Sequence, residues 1–98
     1  MERVFWRATI REGKKEEYVR RHDEIWPEMQ TALKEAGIEN YTIWADGNDL
    51  YGYYECGMGR DFALEFQAKN PVVLRWEKSM EPLMEKKDFP VREIFRLE

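Results

Sequence analysis

One cysteine, one histidine and four prolines are spread over 98 residues, and each scarcity removes a class of explanation. Cys56 alone cannot form an intrachain disulfide framework or a thiolate zinc cluster, which points to a reducing compartment. His22 alone cannot supply a multi-histidine metal set, so no metal is expected. CxxC, HExxH, GxGxxG, Walker-type and GxSxG patterns are all missing, and with them the usual redox, zinc-hydrolase, dinucleotide, phosphate-cradle and serine-hydrolase chemistries. No apolar run approaches the roughly 20 residues that cross a bilayer, and the opening MERVFWRATI lacks the apolar stretch of a secretory leader. A soluble, cytoplasmic protein is expected. Positive charge is also short, with 16 Lys and Arg against 20 Asp and Glu and a formal net charge of -4. The basic pairs Lys14-Lys15, Arg20-Arg21 and Lys86-Lys87 all have acidic neighbours, so neither nucleic acid nor a membrane surface is an expected partner.

Aromatic residues are plentiful. Four Trp, five Tyr and five Phe contribute to a hydrophobic fraction of 43%, too much core material for a disordered acidic segment. The length suits one domain over residues 1–98. A chain this short buries only about 60 to 65% of its unfolded surface, so any sizeable pocket must be shallow or shared.

Val4, Trp6, Ala8 and Ile10 alternate with Phe5, Arg7, Thr9 and Arg11, the period of a strand with one apolar face. After Gly13 the period changes: Tyr18, His22, Ile25, Met29, Ala32, Leu33 and Ala36 recur at helical spacing until Gly37 supplies a stop. Pro27 predicts a bend near Ile25-Trp26, a locally widened turn or two helical segments. Tyr41–Ala45 and Leu50–Cys56 read as a hairpin around Asp46-Gly47-Asn48-Asp49. Phe62, Ala63, Phe66 and Ala68 suit a short helix ending near Asn70-Pro71. A second run carries Val72, Val73, Trp76, Met80, Leu83 and Met84 on one face, with distortion expected at Pro82. Beyond Phe89-Pro90, Val91, Glu93, Phe95 and Leu97 alternate with Arg92, Ile94 and Arg96, which predicts a last strand. The order βαββαβ predicts a ferredoxin-like split βαβ domain, α+β in class, with a four-stranded antiparallel sheet and helices on one face. Phe5, Trp44, Tyr51, Tyr53 and Ile94 fall on the opposite parity, so both sheet faces carry large side chains. Two sheets packed face to face in a homodimer would bury them.

Tyr18 and His22 are four residues apart and share one helix face. An imidazole donates or accepts a proton near neutrality, and a phenol can orient it or bind a hydroxyl-bearing ligand. A semi-buried histidine with a neighbouring tyrosine would show the same spacing. Trp26, Tyr41 and Trp76 could form a sugar-like site, since an apolar sugar face packs on a ring; they could equally be core packing. Glu77, next to Trp76, is a binding carboxylate or a solvated one. Asp46, Asp49 and Asp61 read as turn and cap residues, and Cys56 as a small buried one.

The stretch FWRATIREGKKEEYVRRHDEIWPEMQTALKEAGIENYTIW, with LYGYYEC and NPVVLRWEKSM, resembles the L-rhamnose mutarotase family over nearly the whole chain. EEYVRRHDEIWPEM is its most specific part, supported by NYTIW and RWEKSM. The resemblance implies a dimeric α+β barrel, a small monosaccharide substrate, no cofactor, and exchange of α and β anomers by acid-base ring opening and closure. It implies that His22 is the proton donor and that Tyr18, Tyr41 and Trp76 contact the sugar; beside it, Tyr18 is expected to orient the sugar or aid a second proton transfer. Glu77 departs from the family, which commonly has two adjacent tryptophans here, and Ser79 stands where another aromatic is frequent. A carboxylate favours a facing hydroxyl over a methyl, so the preferred sugar stays open. A cofactor-free oxygenase on the same scaffold and a non-catalytic sugar-binding protein are the alternatives.

Overall fold

The computed structural model describes residues 1–87 and 91–98. Strand β1 spans Glu2–Ile10, followed by helices α1, Lys15–Asp23, and α2, Pro27–Glu35. Strands β2, Ile38–Asp46, and β3, Asp49–Cys56, form a hairpin; helices α3, Arg60–Lys69, and α4, Pro71–Met80, lead to strand β4, Met84–Lys86. The sheet order is β2-β3-β1-β4 and every pairing is antiparallel. This is the expected α+β topology, with each crossover built from two short helices.

Proline explains both interruptions. Pro27 disfavours helical geometry at Trp26, which sits at φ -58° and ψ 134°, and then serves as the first residue of α2, where no amide is needed. Pro71 does the same after Asn70, whose side-chain oxygen accepts the amides of Val72 at 2.9 Å and Val73 at 3.1 Å. Pro82 acts more strongly than the apolar spacing suggests: α4 stops at Met80, and the Leu83 amide closes a turn onto the Met80 carbonyl.

β3 alternates strictly. Leu50, Gly52, Tyr54 and Cys56 are buried while the residues between them lie on the outer face. β2 does not, because a bulge lies between Glu39 and Thr42, with Asn40 at φ 50°. Ile38 before the bulge faces Cys56, and Ile43 after it faces Gly52, so both lie on the helix side despite opposite parity. Tyr41 packs there too, 5.0 Å from Tyr54 between ring centres. The Asn40 amide group donates to Glu55 at 2.7 Å and ties the bulge to β3.

The last strand corrects the expectation. Met84–Lys86 pairs with Ala8–Ile10 and takes the edge position, whereas residues 91–98 carry no regular structure. The turn at Pro82 delivers the chain to the β1 edge before the alternating segment begins. Ile94, Phe95 and Leu97 are all exposed, so that alternation does not separate a buried face from a solvated one. The Phe89-Pro90 boundary lies outside the described residues.

Candidate functional site

Between the helices and the inner sheet face lies a cavity of about 800 Å³, within the range of small-molecule sites, roughly 300 to 1,000 Å³. It opens between two parts of the core. One is built on Ala8, Leu50, Met29 and Val73, and the other on Val4, Tyr54, Ile38 and Ala63. Trp6, Leu33 and Phe66 pack against both.

α1 presents Tyr18 and His22 to this cavity. Acidic Glu16 and Glu17 in its first turn and basic Arg20 and Arg21 in its last complement the helix dipole and help stabilise a nine-residue helix with little apolar surface. Arg21 fixes its position: Nε donates to Glu17 at 2.9 Å and Nη1 to the Ser79 carbonyl at 2.6 Å, joining α1 to the end of α4. His22 Nδ1 lies 3.0 Å from the Tyr18 carbonyl oxygen. A carbonyl only accepts, so Nδ1 carries the proton and the neutral ring keeps its lone pair at Nε2. Burial pushes the imidazole below the usual histidine range, against the opposing pull of that carbonyl and of Asp23. At neutral pH His22 is therefore a neutral base.

Tyr18 lies 4.4 Å from His22 between ring centres, and Trp76 meets His22 edge-on at 5.4 Å. Burial raises the Tyr18 phenol to about 12, so it stays protonated and available as a donor. Tyr41 is half-buried on the opposite wall, its phenol likewise pushed up by desolvation. Glu77 lines the cavity with its carboxylate 3.4 Å from Lys86 Nζ. The fold thus brings Tyr18, His22, Tyr41, Trp76 and Glu77 together. Trp26 stands one layer back, edge-on to Trp76 at 5.2 Å with the Arg75 guanidinium over its own ring.

Sequence reasoning overlooked Trp6, Tyr54 and Gln67. Trp6 Nε1 donates to the Tyr41 hydroxyl at 2.9 Å, and Gln67 donates to the Tyr54 hydroxyl at 3.3 Å. Gly52, a glycine inside a strand pattern, was the available signal for Trp6, since such a glycine marks close approach of another group. Among the described residues no cluster of three His, Cys, Asp or Glu could hold a metal ion, and no helix is long and apolar enough to cross a membrane.

An antiparallel α+β protein with an aromatic cavity and a neutral histidine in its wall belongs to the class that binds a small neutral molecule and can move its protons. The family model described as L-rhamnose mutarotase matches residues 3–97. The L-rhamnose mutarotase of Listeria monocytogenes is 41% identical over 87 residues, covering 86% of this chain and 81% of the relative. That of Acidiphilium cryptum is 33% identical over 103 aligned positions and 99% of both chains. The crystal structure of L-rhamnose mutarotase from Formosa agariphila superposes with a TM-score of 0.83 at 28% identity, covering all of both chains. The chain belongs to the L-rhamnose mutarotase family.

Proposed function

We propose that this protein is an aldose mutarotase that interconverts the α and β anomers of L-rhamnose or a related 6-deoxyhexose pyranose. The observation that carries this reading is His22, held as the Nδ1-protonated neutral tautomer in a cavity walled by Tyr18, Tyr41 and Trp76. Trp76 offers its ring to the apolar face of the sugar, with Trp26 behind it, and the tyrosines take hydroxyl groups. Glu77 contacts a polar edge of the ring, where a hydroxyl is preferred to a methyl.

Nε2 of His22 takes the proton of the anomeric hydroxyl as the bond from C1 to the ring oxygen breaks. The products are an aldehyde at C1 and a hydroxyl at the former ring oxygen, which receives the proton carried by His22. Both oxygens are bonded to C1, so one imidazole nitrogen reaches each in turn. Tyr18 hydrogen-bonds the ring oxygen while negative charge builds on it. Rotation about the C1 to C2 bond and attack on the other aldehyde face reverse the steps and yield the second anomer, with no net change in protons or electrons.

A second copy completes the molecule in this reading. The outer sheet face carries Phe5 and Trp44, both exposed, with Tyr51 and Tyr53 between them, and face-to-face packing would make the dimeric α+β barrel. The buried, unpaired Cys56 suits a reducing, cytoplasmic setting.

Saturation-transfer NMR on L-rhamnose, with and without the protein, tests the activity. Exchange accelerated by the protein and reduced about a hundredfold or more in His22→Ala is the expected result, the scale of a lost general acid-base group. Binding without exchange would identify a sugar-binding protein instead. Oxygen uptake with an aromatic substrate would favour an oxygenase.

A further inference from the structure

Trp6 is not among the groups that the proton transfers require, yet its indole N–H is spent on a cavity tyrosine. It donates to the Tyr41 hydroxyl over 2.9 Å. An indole N–H is a donor only, whereas a phenol oxygen accepts and also has one proton to give. Filling the oxygen's acceptor side from Trp6 turns the phenol proton away from β1. Tyr41 lines the cavity, so that proton points to a ligand there.

Two backbone features serve this contact. Trp6 lies opposite Gly52 in the β1 to β3 ladder, and a Cβ at position 52 would fall 2.0 Å from Trp6 Cε2 and 2.2 Å from Nε1. The ring is seated where a side chain would otherwise stand. On the other side, the bulge between Glu39 and Thr42 resets the parity of β2 and aims Tyr41 inward, a common use of bulges beside functional sites. A missing side chain in one strand and an extra residue in another thus meet at a single hydrogen bond.

We propose that Trp6 is a positioning residue that fixes Tyr41 as a hydrogen-bond donor to an acceptor oxygen of the bound pyranose. The inference rests on the sugar-binding reading above and assigns this wall of the cavity to recognition rather than to proton transfer. It acts through Tyr41, so the two residues form one functional unit.

A double-mutant cycle tests it. Trp6→Phe keeps an aromatic ring over Gly52 and removes the N–H; Tyr41→Phe removes the hydroxyl. Each is expected to lower kcat/KM for anomer exchange about tenfold, chiefly through KM, the scale of one lost directed hydrogen bond. The double variant is expected to fall no further than Tyr41→Phe alone. Losses that multiply in the double variant, or a Trp6→Phe protein within twofold of the parent while Tyr41→Phe is impaired, overturn the proposal. Should Trp6→Phe fail to fold, the Trp6 indole N–H resonance, assigned by triple-resonance NMR, carries the test. It is expected to move upfield in Tyr41→Phe and to respond to L-rhamnose in the parent protein; an unmoved resonance in either case overturns it. A parent protein with no catalysed exchange refutes the mutarotase reading separately, because the indole response to Tyr41→Phe and to sugar is read without turnover.

Discussion

At the scale of single residues, the proposed chemistry depends on a histidine kept neutral by its surroundings. Burial lowers its proton affinity and the Tyr18 carbonyl holds the tautomer. The rate consequence has a definite sign: catalysed exchange, after subtraction of the spontaneous reaction, is expected to be flat above the ordinary histidine range. It should fall tenfold per pH unit below the depressed value, where Nε2 is already protonated. The stability consequence follows from linkage. The unfolded chain binds a proton near 6.5 and the folded chain only at lower pH, so stability is full above about 6.5 and declines as pH falls toward the folded value. A proton NMR titration of the single imidazole together with a rate profile checks both, and a midpoint at or above 6.5 would contradict them.

At the scale of elements, the site is assembled from interrupted helices. Glu24 to Trp26 separates α1, which carries His22, from α2; Asn70 separates α3 from α4, which carries Trp76. Asn70 is the only helix cap of its kind among the described helices, serving two amides. Asn70→Ala is expected to cost about 1 kcal/mol, a fall of roughly 4 to 8 °C in Tm for a domain of this size. Thermal melts followed by circular dichroism measure it, and an unchanged Tm would show that Pro71 alone starts the helix. Both breaks were legible in the sequence, because proline constrains its own dihedral and its predecessor's. Tyr18 and His22 were legible as a pair for a related reason, since helical spacing is local. The bulge at Asn40 was not. It depends on a register set across two strands, and the simple alternation of Tyr41 to Ala45 hides the parity change before it. The Val91 to Leu97 alternation misled because a period of two marks a strand only where one side finds a partner. The Trp6 to Tyr41 contact joins residues 35 positions apart, so spacing carried no trace of it.

At the scale of the whole molecule, one face of the sheet is covered and the other carries exposed aromatics. Trp44 retains 68% of its accessible surface, directly across the ladder from Tyr51, and Phe5 lies 6.2 Å from Tyr51 between ring centres. Sedimentation velocity at micromolar concentration is expected to give twice the chain mass of 11.9 kDa. Trp44→Glu, which places a charge among the exposed aromatics of this face, is expected to shift the proposed dimer toward monomer without loss of helical signal. A parent protein sedimenting at the single-chain mass would dismiss the dimer.

The notch at Gly52 also governs how the sheet can form. Sliding β1 along β3 by two residues keeps every side chain on its own face and would otherwise be the easiest misalignment of this pair. Such a slip would bring Trp6 opposite Leu50 or Tyr54, both large and buried, and neither leaves room for an indole lying flat across the strand. Only one alignment offers the gap. The tryptophan therefore works as a key that fits a single position, and the same cut in β3 that seats Trp6 against the Tyr41 hydroxyl disfavours the misaligned sheets.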